Sequence, residues 1–344
     1  MLRFMSINDI EFSIKCKDFS YEKRLNTMND LKPFNEFWIN CFFNAYFSLL
    51  TSRNSSYFDA AYMNCYSYIS KVEKTPFTNV KYIQLYNSDK RQINLFTSNI
   101  LTKPIEFRKH TDMVEKIIEF LKNNYIFVGV DLYNWIPNSI CWQRRHWEHY
   151  SLIKEYDDCN DEFIVFDENH QGYGIYRIPM KRFIDSVNNS PLKDDGFIIV
   201  YNDYIEDYYI DYKEVQCNAD RLIQELIKLI ELPSDYWVLS KQDMEKGYMF
   251  DLLSMYAFQI ANRHMANIKL MDRLKHLNYI DMYQYKTITE MFKELANGWD
   301  MIKSKFIKGD ISIPRKLDSD NLNDLKDNLL RMEIETWKYL LSII

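Results

Sequence analysis

The feature that most constrains this chain is a change of hydrophobic period near residues 205–216. Before it, short runs rich in β-branched and aromatic residues follow one another: YIFVGVDLY (125–133), HYSLIKEYD (149–157), EFIVFDEN (162–169), GIYRIP (174–179) and GFIIVYN (196–202). They are separated by Asp, Asn and Gly turn residues, the pattern of a meander of strands. After it, apolar residues recur at helical spacing. NADRLIQELIKLIEL (218–232) starts with a capping-type Asn218 and stops at Pro233, long helical stretches cover 242–275 and 280–306, Pro314 interrupts, and 319–344 closes the chain. Strands followed by helices predict an α+β protein, divided here into residues 1–210 and 211–344.

The first part also carries helices. Residues 1–35 read as an extended lead-in. The segment EFWINCFFNAYFSLLTS (36–52) is apolar on nearly every face after Asn40, so a helix here is buried on most sides, with Asn40 as its N-cap and Cys41 in its first turn. Residues 53–72 read as a second helix, 80–86 as a strand, and 111–124 as an amphipathic helix with Val114, Ile117, Ile118 and Leu121 on one face. Only seven glycines and eight prolines punctuate 344 residues, and no repeat or low-complexity tract is present.

Composition removes some function classes. A net charge of -6 argues against a general nucleic-acid binder, which shows a basic footprint. It suits a cationic partner and equally an ordinary solubilising surface. No run approaches the roughly 18 uncharged apolar residues of a membrane span, and the opening MLRFMSINDIEF lacks the apolar core of a signal peptide. Six cysteines, at 16, 41, 65, 141, 159 and 217, are scattered without a CxxC pair. This is the usage expected of reduced thiols in a cytoplasmic protein.

Three residues carry the chemistry. A cysteine at a helix N-terminus faces the positive end of the helix dipole, which favours the reactive thiolate, and the free N–H groups of the first turn can receive an oxyanion. Cys41 is placed for this; alone, it reads as well as a core thiol. His149 opens a strand, and Asp167 ends the apolar run of the next one. Antiparallel neighbours bring such groups within hydrogen-bond reach, so the carboxylate can hold the imidazole as the third member of a triad does. Taken singly, His149 reads as a structural histidine and Asp167 as a turn cap. The HxxH pair His146–His149 lacks a third ligand at a recognised spacing, so no metal is expected. Arg144 and Arg145 precede the histidine and read either as a phosphate or carrier contact or as a solvated loop. Asp157, Asp158, Asp161 and Glu162 suit a cationic acceptor or a plain turn. Arg263 and His264 fall within a helical scaffold, and no glycine-rich phosphate loop appears.

The order helix-cysteine, strand-histidine, strand-end acid is that of papain-like enzymes. NCFFNAYFSLL (40–50), VGVDLYNWIP (128–137), HWEHYSLIKEYDD (146–158) and DEFIVFDENHQGYGIYRIPMKRF (161–183) together resemble the butirosin biosynthesis H protein family, whose N-terminal domain is similar to C39-type cysteine peptidases. The resemblance spans roughly residues 35–205, and loosely the helical part through ANRHMANIKLMDRL (261–274). It implies a papain-like domain at 1–210 and a helical domain at 211–344 covering the cleft. It implies acyl transfer from an acyl carrier protein to a small amine acceptor of the aminoglycoside or polyamine type, as in butirosin and closthioamide assembly. The phosphopantetheine arm would arrive on the carrier, with no cofactor of the protein's own. Cys41 would take the acyl group and His149 the amine proton. Papain-like enzymes place a Gln about six residues before the nucleophile to complete the oxyanion hole; Asn35 stands there instead. A hydrolase using the same triad, whether peptidase or thioesterase, and a non-catalytic carrier-docking protein are the alternative readings. The residues do not fix the oligomeric state.

Overall fold

The structure, a computed structural model, describes residues 31–86, 100–106, 110–169, 172–192, 195–201, 205–232 and 235–344. Residues 1–30, including most of the expected lead-in and Cys16, lie outside them. The chain is mixed α+β. Helix α1 (Cys41–Arg53) and the short α2 (Tyr57–Tyr62) lead into a hairpin of β1 (Ser67–Lys74) and β2 (Asn79–Tyr86). A six-stranded sheet follows, built from β3 (Ile100–Glu106), β4 (Tyr125–Asp131), β5 (Glu148–Asp157), β6 (Glu162–Asn169), β7 (Gly172–Pro179) and β8 (Asp195–Tyr201). Its order is β3-β8-β4-β5-β6-β7, with every pairing antiparallel. Helices α3 (His110–Leu121) and α4 (Met180–Asn189) are interleaved with these strands. The rest is helical: α5 (Tyr212–Glu231), α6 (Lys241–Lys246), α7 (Tyr248–His276), α8 (Met282–Ile311) and α9 (Ser319–Ile343).

The sheet is covered on both faces. Strand β4 lies inside it and is buried along its whole length, as expected for a strand with cores on both sides. Its Ile126, Val128 and Val130 join Met113 and Ile117 of α3, Phe183 and Val187 of α4, and Trp135 in one core. Its Tyr125 and Phe127 face the other, where Phe42 and Tyr46 of α1 stack on Phe127 at 5.5 and 5.6 Å between ring centroids. The period of two thus sorts one strand's side chains between two cores. At Gly129 an added Cβ would sit 2.4 Å from Leu192 Cβ and 2.5 Å from Leu192 O, so β4 needs a residue without a side chain there.

Three expectations change. Residues 53–72 are not one helix: α2 stops at Tyr62, and Ser67–Lys74 is β1. SYISKVEK pairs along its length with β2 and buries Tyr68, and this non-local ladder outweighs the local helical pattern. Asn218 does not start a helix. Asp211 caps α5 by accepting from Lys213 N at 2.9 Å, while Asn218 lies inside the helix and points its amide at Asn64 Oδ1 and Cys65 Sγ, both 3.4 Å away. The stretch 242–275 is broken at Gly247, whose φ of 71° ends α6 and begins α7. Packing also crosses the expected division at residue 210. β1 lies on α5 and β2 on α7, Tyr82 stacks on Tyr256 at 4.9 Å, and one continuous core runs from α1 through the hairpin into α9.

Candidate active site

The N-terminus of α1 lies against β5 and β6, which brings the residues of the expected triad together. Cys41 is the first helical residue and is half-buried. Asn40 caps the helix by accepting from Phe43 N at 2.8 Å. No group among the described residues accepts from the backbone N–H of Cys41 or Phe42, so both remain available at the positive end of α1.

His149 sits at the start of β5 and is 8% exposed. Its Nε2 lies 2.9 Å from Asp167 Oδ1. Continuing the Leu152↔Phe166 register by three residues sets His149 opposite Asn169, so Asp167 is the diagonal neighbour on the same face. Cys41 lies close enough to the same imidazole for its charge to act on it, second to that of Asp167. Burial disfavours charge on His149, but the Asp167 carboxylate and then Cys41 more than offset it, and the pKa lies well above the ordinary 6.5. Asp167, 1% exposed, has its second oxygen held by Trp135 Nε1–H at 2.7 Å and also accepts from Glu168 N at 2.8 Å. A carboxylate satisfied on both oxygens is fixed in orientation and fixes the ring in turn.

The segment before Cys41 is clamped from two sides. On α1, the buried Asn44 donates to Phe34 O at 3.1 Å and Phe37 O at 3.0 Å, and accepts from Ile39 N at 2.8 Å and Asn40 N at 3.2 Å. Four bonds saturate its amide. Ser48 Oγ accepts from Phe34 N at 2.7 Å. From α7, Gln259 donates to Ile39 O at 3.1 Å, Asn262 accepts from Trp38 N at 3.0 Å, and Lys269 pairs with Glu36 at 2.8 Å. These residues escaped the sequence reading. The signal was present in two polar side chains, Asn44 and Ser48, one turn apart on a helix whose other neighbours are apolar.

The clamp also decides where Asn35 lies. Chain 34–40 runs back along α1, so Phe34 meets Ser48, seven residues or roughly 10 Å beyond Cys41 along the helix. Asn35 is exposed, and no hydrogen bond among the described residues joins it to Cys41, His149 or Asp167. The expected oxyanion donor is therefore not at the helix start. The groups found there are the Cys41 and Phe42 N–H and the Asn40 side-chain amide.

Arg144 and Arg145 are engaged elsewhere. Arg145 lies 2.9 Å from Asp251 of α7, and Arg144 is 3.3 Å from Asp310 of α8. Arg145 also stacks over Tyr248, 5.6 Å from the ring centroid. Together these contacts tie the loop leading to His149 onto the helical part. His146 is 2.5 Å from Asp131 Oδ2 and stacks on Tyr133 at 4.5 Å, so it braces the same loop. Among the described residues no group of three or more His, Cys, Asp or Glu side chains is placed to hold a metal. Nor is any of their helices long and apolar enough to cross a membrane. Asp157 accepts from Arg177 at 2.8 Å and from Asn160 at 2.8 Å, so part of the acidic turn is occupied internally. Cys141 is another thiol near His149, and a buried one; burial and Asp251 push it up to about 12, which keeps it in the inert protonated form.

The sequence matches no protein-family model, and it matches no curated protein.

Proposed function

We propose that this protein is a cysteine-dependent acyltransferase that forms amides, with Cys41 as nucleophile, His149 as acid and base, and Asp167 as the orienting carboxylate. One observation carries the reading: a single buried imidazole that senses a helix-start cysteine and is bonded to a doubly held aspartate. A cysteine helix set against strands that carry the histidine and the acid also supports reading the N-terminal part as papain-like. The pieces that resemble the butirosin biosynthesis H family favour transfer over cleavage, with an acyl carrier protein as donor and a small amine as acceptor.

The chemistry runs in two steps. The thiolate attacks the thioester carbonyl, and the oxyanion is received by the Cys41 and Phe42 N–H. The pantetheine sulfur leaves and takes the His149 proton, giving an acyl-enzyme. An amine then attacks, neutral His149 accepts its proton, and the thiolate–imidazolium pair returns. Gln259 and Asn262 hold Ile39 and Trp38 next to Cys41, and exclusion of water from the acyl-enzyme would favour the amine.

The test is an intact-mass experiment with an acyl thioester of N-acetylcysteamine. The expected result is one acyl adduct, absent in Cys41→Ala, that is released as amide when a diamine is added. An adduct that persists in Cys41→Ala, or no adduct at all, refutes the assignment. Release as free acid alone makes the protein a hydrolase.

A further inference from the structure

Beside the triad stands a carboxylate that the two steps above do not use. Glu168 follows Asp167 on β6, and its Oε2 accepts from the indole N–H of Trp38, three residues before Cys41. Trp38 is held by Asn262 through its backbone and by Phe258 through its ring, at 5.4 Å between centroids, so Glu168 sits where β6, the segment before Cys41 and α7 meet. Oε1 makes no hydrogen bond among the described residues, yet it is not sealed: the side chain is half-buried and this oxygen is not among the enclosed, unpartnered atoms. One oxygen is therefore fixed by the protein while the other has no hydrogen bond among the described residues and keeps some contact with solvent. The charged groups acting on Glu168 are His149 and Asp167.

Resting on the acyltransferase reading, we propose that Glu168 is the acceptor-binding residue. Its free oxygen receives the ammonium group of a cationic amine and takes one proton from it, which makes the acyl-enzyme selective for aliphatic polyamine-type acceptors.

An aliphatic amine reaches the site as R–NH3+, which has no lone pair to attack with. Transfer of one proton to the Glu168 carboxylate gives R–NH2 and the neutral acid. The nitrogen then forms its bond to the acyl carbon, the carbon–sulfur bond breaks, and Cys41 leaves as thiolate. The second proton passes from nitrogen to His149, restoring the imidazolium, and Glu168 returns its proton to solvent. The net change is thioester plus ammonium to amide, thiol and one proton. Such a base works best when it titrates near the working pH. Burial pushes Glu168 up, His149 pulls it back and Asp167 raises it, leaving it at about 7. Without this carboxylate, an amine already neutral at pH 7 can still attack.

The experiment compares two nucleophiles on the same acyl-enzyme, generated from the N-acetylcysteamine thioester: a diaminoalkane, cationic at pH 7, and hydroxylamine, neutral at pH 7. In Glu168→Gln, which keeps an oxygen for Trp38, the ratio of diamine amide to hydroxamate is expected to fall fivefold or more relative to wild type. A smaller fall overturns the proposal. A merely structural change would slow both nucleophiles together and leave the ratio in place. Should Glu168→Gln not fold, the wild-type enzyme decides: a bis(trimethylammonium)alkane must inhibit diamine transfer while the diol of equal length does not, and equal effects overturn the proposal. Absence of any Cys41 adduct in wild type sinks the acyltransferase reading instead, so the two failures are distinguishable.

Discussion

Asp167→Asn separates two functions that one carboxylate performs. Asp167 Oδ1 is 2.9 Å from His149 Nε2 and Oδ2 is 2.7 Å from Trp135 Nε1, both contacts being buried. An asparagine can accept through only one atom: one rotamer sets its N–H against the Trp135 N–H, and the other sets it against Nε2 of a neutral His149 held in the wrong tautomer. An orphaned buried donor costs about 1–3 kcal/mol. The charge is lost as well. With charge centres about 4 Å apart and an effective dielectric near 20, the attraction is worth about 4 kcal/mol. His149 would then fall from well above 6.5 into the range where burial holds it neutral at pH 7. The expected consequence is slower alkylation of Cys41 by iodoacetamide, at least tenfold at pH 7, and a loss of turnover of about two to four orders of magnitude. The stability sign follows from the direction of the shift. A histidine raised in the folded state contributes stability that is complete below about pH 6.5 and is lost as pH rises through its folded pKa. The gap between wild type and Asp167→Asn in urea midpoints is thus widest below pH 6.5. Adding Trp135→Phe removes the donor conflict, so the double variant should regain stability without regaining rate. An Asp167→Asn alkylation profile that superimposes on wild type across pH 5–9 would refute the reasoning.

Two further outcomes are expected. Asn44→Ala strips four backbone partners from the segment that sets the start of α1; it should cost about 3 kcal/mol or more in urea unfolding and also slow Cys41 alkylation, whereas a variant with wild-type stability would show that the clamp is not needed. In the helical core, Glu333 accepts from Tyr68 at 2.7 Å and from Trp337 at 3.1 Å, and burial pushes it from 4.5 to about 7. Because the unfolded carboxyl ionises first, stability falls as pH rises from 4.5 to 7, by about 3 kcal/mol in all. Glu333→Gln should flatten that dependence and be the more stable form at pH 8, which midpoints at pH 5 and pH 8 will show.

Much of this arrangement was legible in the residues. The period of two marked β4 to β8, the 3.6 period marked the long helices, and Asn40 marked the start of α1, because each is a local rule acting over a few residues. The order of Cys41, His149 and Asp167 pointed to one site for the same reason: a helix start and two adjacent strand ends are places where local structure aims a side chain. Three things belonged to tertiary structure. SYISKVEK became a strand only because β2 and α5 were there to pair and pack with it. Asn35 was set aside because Asn44 and Ser48 draw its segment back along α1, so its six-residue spacing from Cys41 does not become proximity. Glu168 gained a partner in Trp38 because β6 meets the segment before Cys41, a contact spanning 130 residues of sequence. The sequence determined which elements form and which side chains can react. Their mutual distances were decided by packing, because a hydrogen bond between remote segments leaves no periodicity in either.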